Sequence, residues 1–180
     1  MTKANNWIKL SSKTLLNHKN INIHEDKVLL PNNKESTYIR DAPTNIHSVI
    51  MIAVNDKDEV LVQKEYSYPP NEILWQLPGG SMKEKEDIET SALRELSEES
   101  GYSASKTKVL GYYYTQNRRS NQKQFVVLCT DLYPNKLTED EDEFIESYWL
   151  TRTKIIENIK SNTFKNINLL AALNIWFYNK

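Results

Sequence analysis

Residues 80–102 read GSMKEKEDIETSALRELSEESGY, and their spacing decides how the chain is interpreted. Gly80 is followed after five residues by Glu86, then after seven by Arg94-Glu95-Leu96-Ser97-Glu98-Glu99-Ser100-Gly101. Residues three and four apart are neighbours on a helix surface, so Glu95, Glu98 and Glu99 form one acidic cluster if 87–100 is helical. At about 100° per residue, Glu95 and Glu99 lie ~40° apart around the axis. Ile88, Ala92, Leu93 and Leu96 supply the apolar face such a helix needs. Gly101 suits a left-handed end, and Glu86 or Asp87 suits the positive end of the helix dipole. Ahead of it, Leu77-Pro78-Gly79-Gly80 reads as a turn whose glycines let a ligand approach the backbone.

Carboxylates gathered this closely repel one another unless cations hold them. An all-oxygen donor set without cysteine or histidine suits Mg²⁺, or Mn²⁺ in its place. The chemistry this implies is metal-assisted attack of water on a phosphate ester or anhydride. A solvated acidic helix is the ordinary reading of a glutamate-rich run. Seven fixed positions must coincide here, however, and a chance match is on the order of one in a million at average residue frequencies.

The stretch resembles the Nudix box, the signature of hydrolases that cleave nucleoside diphosphates linked to another moiety. Tyr102 fills a slot that is usually aliphatic in that signature. The resemblance implies an α/β fold, a Nudix-like α/β/α sandwich with a mixed sheet and an N-terminal antiparallel strand extension. It also implies that Glu95 and Glu99 are the main metal ligands, that Glu98 assists, and that the Gly79 carbonyl supplies a further oxygen. Arg94 and Glu86 are expected to pair and hold loop and helix in register, and Gly80 to let substrate approach.

The rest of the chain is consistent with this reading. At 180 residues it is long enough for a sizeable core, and no Gly/Ser/Pro-rich linker divides it. A net charge of −1 offers no general footprint for nucleic acid, and no apolar run approaches a membrane span. MTKANNWIKL does not read as a signal peptide. The single cysteine, Cys129, sits in the apolar run FVVLCT as a core position, and a reducing cytoplasm fits. His18, His24 and His47 show no ligand spacing.

Strands are expected at 21–30 and 35–40 around the turn Pro31-Asn32-Asn33-Lys34, then at 48–54, 59–66 and 73–77. Further strands are expected near 108–115, 123–130 and 144–150, with helices near 152–160 and 165–178. In the last helix Leu169, Leu170, Leu173, Trp176 and Phe177 should pack inward. Residues 1–44 form the N-terminal β extension of a domain whose main part spans 45–180.

The wider layout is similar to the ADP-ribose and nucleotide-sugar pyrophosphatase branch. Carrying it are Thr37-Tyr38, the segment QKEYSYP at 63–69, Leu77-Pro78-Gly79-Gly80 and the acidic run 139–143. That branch implies a homodimer built through the N-terminal strands. It also places a water-activating carboxylate before the strand near Phe144, where Glu141 is the first choice and Glu143 the second. Ser67 replaces an arginine common in the branch, and Asn117 a proline frequent in ADP-ribose-specific members. Arg118 and Arg119 follow, either gripping a phosphate or forming a solvated basic loop.

These residues lead to Mg²⁺-dependent hydrolysis of ADP-ribose or a related nucleoside diphosphate sugar to a nucleoside monophosphate and a sugar phosphate. The alternatives are a Nudix hydrolase of triphosphates or dinucleoside polyphosphates, and a nucleotide sensor without turnover.

Overall fold

A computed structural model describes residues 6–19, 21–137 and 144–179. Its chain forms two compact units, one comprising residues up to 45 with 114–122, the other 46–113 with 123–180.

The first unit is built on three antiparallel strands in sequence order: β1 (Ile8–His18), β2 (Ile21–Leu29) and β3 (Glu35–Asp41). The β2–β3 turn falls where Pro31-Asn32-Asn33-Lys34 predicts it. Asn33 has φ 62°, and the Leu30 N–H donates to the Lys34 carbonyl at 2.8 Å. Buried Asp26 on β2 accepts from Arg40 on β3 at 2.6 and 3.2 Å, and this guanidinium holds its carboxyl below the usual range. β1 was not anticipated. Its sequence, IKLSSKTLLNH, is exposed along its whole length and carries no clean inside–outside alternation to mark it.

The second unit places two sheets between helices. One sheet has the order β7 (Gly79–Ser81), β4 (Ser48–Ala53), β9 (Lys123–Pro134) and β8 (Tyr102–Tyr114). Strands β4 and β9 run parallel and β4 and β7 antiparallel. The other sheet is antiparallel, with β5 (Glu59–Ser67) between β10 (Glu146–Thr151) and β6 (Glu72–Gln76).

The continuous apolar run of β4 is buried on both faces, as a central strand requires. Val49, Met51 and Ala53 pack with Ala92 and Leu96 of α1 (Ile88–Ser100). Ile50 and Ile52 pack with Ile155 of α2 (Arg152–Lys160) and with Leu169 and Leu173 of α3 (Ile167–Tyr178). This alternation produces the α/β/α layering and mixed sheet that the resemblance implied. Leu170, Trp176 and Phe177 also pack against the core, as their spacing predicts.

β7 corrects the sequence reading, which took Leu77–Gly80 as a turn only. Gly79 and Gly80 are strand residues paired with Ile50 and Val49. A β-carbon on Gly79 would lie 2.5 Å from the Val49 carbonyl oxygen, so the missing side chain is what lets this edge strand dock. β8 begins at once after α1, six residues before the predicted 108, and β10 starts at Glu146 instead of Phe144. Cys129 is fully buried, and burial pushes its thiol up to about 12. Among the described residues no helix is long and apolar enough to cross a membrane.

Candidate active site

The local sequence of α1 explains why its acids converge. Asp87 caps the helix by accepting from the Thr90 N–H at 2.9 Å, and Gly101 ends it in the left-handed conformation at φ 73°. Ala92 and Leu96 anchor one side in the core. This leaves Arg94, Glu95, Glu98 and Glu99 on the side that meets β7 and the loop before the helix.

Arg94 organises the group. Its Nε and Nη2 donate to the two oxygens of Glu86 at 3.0 and 2.9 Å, a two-point clasp that ties the loop to the helix. Nη1 donates to Glu95 and to Glu98, each at 2.8 Å, and Nη2 also reaches the Ser81 carbonyl of β7 at 3.1 Å. The clasp holds the Glu86 carboxyl down at about 2, and Glu86 in turn raises the pKa of Arg94.

Glu95 behaves oppositely: burial pushes its carboxyl above the ordinary value, although Arg94 pulls it the other way. The same guanidinium is shared by three carboxylates, and the charges of Glu98 and Glu86 add a smaller upward push on Glu95 to that of burial.

The glycines fit this arrangement closely. The Gly79 N–H points at the Glu99 carboxylate at 3.2 and 3.4 Å. A β-carbon on Gly80 would stand 2.4 Å from Cδ of Glu95. Sequence reasoning missed Gln63, a fully buried amide of β5 whose Nε2 lies 3.4 Å from the Glu99 main-chain carbonyl. Its signal was a lone carboxamide at an inward position of the apolar run EVLVQ.

Thus Gly79, Gly80, Glu86, Arg94, Glu95, Glu98 and Glu99 come together. Arg118 and Arg119 belong to the other unit. There they line a pocket of about 330 Å³ with Tyr38 and Asn121, and their main-chain carbonyls accept from the Tyr38 hydroxyl and the Asp41 N–H. Glu141 and Glu143 lie outside the described residues.

Among the described residues no three His, Cys, Asp or Glu side chains form a metal cage on their own. The donor chemistry still suits a hard divalent cation. Every available donor is oxygen, and the half-buried Glu95 shares the Arg94 guanidinium with Glu86 and Glu98. Mg²⁺ characteristically takes one or two carboxylates and completes its shell with water and substrate phosphate, so no preformed cage is required.

A family description, the NUDIX domain, matches residues 44–173. Among curated proteins, the chain is 29% identical over 154 residues to an ADP-ribose pyrophosphatase of Bacillus subtilis (strain 168), covering 84% of this chain and 82% of that one. It is 25% identical over 155 residues to a methanol dehydrogenase activator of Bacillus methanolicus, covering 85% and 83%. A crystal structure of an ADP compounds hydrolase superposes with a TM-score of 0.88 at 22% identity, covering 94% of this chain and 91% of the other, and so shares its fold.

Proposed function

The chain belongs to the Nudix family and is one of its pyrophosphatases, and from that premise we propose that it hydrolyses the diphosphate bond of ADP-ribose or a related nucleoside diphosphate sugar. The products are a nucleoside monophosphate and a sugar phosphate. The observation that carries the proposal is the carboxylate cluster sharing Arg94 against the backbone of Gly79 and Gly80. The Bacillus subtilis relative, an ADP-ribose pyrophosphatase, supports the substrate class.

In this reading Glu95, Glu98 and Glu99, with the Gly79 carbonyl, hold Mg²⁺ or Mn²⁺, which supplies Lewis-acid polarisation of the phosphoryl oxygens when bound. Arg94 sets the rotamers of Glu95 and Glu98, and Glu86 fixes Arg94. Gly80 leaves room for the Glu95 carboxylate and for substrate. A carboxylate of the acidic run, Glu141 first and Glu143 second, takes the proton from the attacking water. Arg118 and Arg119 grip phosphate with guanidinium groups that are exposed in their own unit.

The active form is a cytoplasmic homodimer joined through the β1–β3 sheet, where Ile8, Leu10, Leu15, Leu16 and Ile39 are all exposed. The test is a product panel over nucleotide sugars, triphosphates and dinucleotides with Mg²⁺ and Mn²⁺. AMP and ribose 5-phosphate from ADP-ribose support the proposal. Inorganic pyrophosphate from triphosphates, with nucleotide sugars untouched, overturns it.

A further inference from the structure

Beside Gly79 and Gly80 lies a groove of about 180 Å³ whose polar lining is neutral. Gln76 comes from the end of β6, Ser48 and Gln124 from the paired starts of β4 and β9, and Asn166 and Asn168 from the first turn of α3. Four carboxamides and the serines Ser48 and Ser81 thus converge on one small space, with no charged and no aromatic side chain in its described lining.

Three of the four carboxamides are held in place by hydrogen bonds. Gln124 Nε2 donates to the Val49 carbonyl at 2.8 Å, and Gln76 Nε2 to the Glu65 carboxylate at 2.6 Å. Asn166 Oδ1 accepts from the Asn168 N–H at 2.9 Å. Asn168 Oδ1 is buried and meets no donor, a deficit that a rotation of its amide onto an incoming hydroxyl would remove.

The lining selects among parts of a substrate. A further phosphate would meet no cation there. A nucleobase would find no aromatic face to stack on, the contact that chiefly holds unpaired bases on proteins. A sugar ring carries several hydroxyls, each both donor and acceptor, and carboxamides match both roles. The volume is below the ~300–1,000 Å³ of pockets that enclose whole drug-sized ligands, so it takes one ring. The groove adjoins the two glycines that border the carboxylate cluster, which puts that ring at one end of the diphosphate.

We propose that this groove is the subsite for the sugar attached to the second phosphate, and that Asn168 and Gln76 recognise its hydroxyls. The inference rests on the proposed nucleotide-sugar substrate.

Its test uses Asn168→Leu and Gln76→Leu in the full chain, each checked for folding by its melting curve. NMR titration of the labelled protein with ribose 5-phosphate and, separately, with AMP reads the groove without turnover. In at least one folded variant, ribose 5-phosphate binding should weaken about tenfold while AMP binding stays within about twofold. The KM for ADP-ribose should rise by a similar factor, with kcat changing much less. Equal weakening of both probes, weakening of AMP alone, or no change in either overturns the subsite. If the wild-type protein releases nothing from any nucleotide sugar, the proposed function fails, yet the difference between the two probes still decides the groove.

Discussion

Gly80 and Glu95 occupy each other's space: a β-carbon on the glycine would sit 2.4 Å from the carboxyl carbon of the glutamate. Replacing Gly80 with alanine must therefore push the Glu95 carboxylate away from Arg94. A displacement near 1 Å is enough to cost about 100-fold in rate. We expect Gly80→Ala to fold normally and to lose kcat by about that factor, measured by AMP release at saturating Mg²⁺. Near-wild-type turnover would dissociate Glu95 from the chemistry.

Glu99 tests the cation. Its carboxylate faces the Gly79 N–H, and glutamine keeps the shape while removing the charge. Glu99→Gln should lower turnover by on the order of 100- to 1,000-fold, the range seen when one electrostatic partner of a transition state is lost. It should also weaken Mn²⁺ binding followed by electron paramagnetic resonance. Retained Mn²⁺ affinity would remove Glu99 from the ligand set.

Arg94 is a structural keystone of the cluster, so its loss should be visible in stability as well as rate. Arg94→Ala leaves Glu86, Glu95 and Glu98 without their common partner. Breaking a well-buried pair costs about 3–5 kcal/mol, and partial exposure of this cluster reduces that to about 2–3 kcal/mol in urea unfolding. Arg94→Lys keeps the charge but cannot span two oxygens of Glu86 while reaching Glu95 and Glu98. It should recover part of the stability and little of the activity.

Glu86 gives the pH dependence. Its carboxyl ionises at about 2 in the folded chain against an ordinary 4.5, because Arg94 favours the ionised form. A depressed acid contributes stability that is full above the unfolded value and is lost as pH falls through the folded one. The contribution, about 3 kcal/mol at most for such a shift, should drain away between pH 4.5 and about 2. In metal-free buffer, Glu86→Gln should therefore flatten the acid limb of a stability-against-pH curve. An unchanged slope would contradict the clasp.

Much of this architecture was legible before any coordinates, for identifiable reasons. The run SVIMIAV announces a strand buried on both faces, and the α1 segment carries its own cap, apolar stripe and left-handed glycine. The meeting of Arg94 with Glu98 follows from helical spacing and could be read from the order of residues, whereas Glu86 lies ahead of the helix and its pairing with Arg94 was implied only by the resemblance. What escaped has tertiary causes. β1 is exposed throughout and owes its form to pairing with β2, not to an inward face. β7 is three residues long, and its two glycines become strand only because β4 offers an edge. The groove beside them is assembled from β4, β6, β9 and α3, elements whose polar residues stand up to 120 positions apart, from Ser48 to Asn168. No local pattern reports such a meeting.

Cys129 has a practical consequence. The only sulfhydryl in the chain is fully enclosed, and with its ionisation pushed up to about 12 almost none is in the nucleophilic form at neutral pH. Alkylating reagents should label it only in molecules that have come open, so the rate of maleimide incorporation becomes a native one-site clock for breathing of the β-layer that surrounds it.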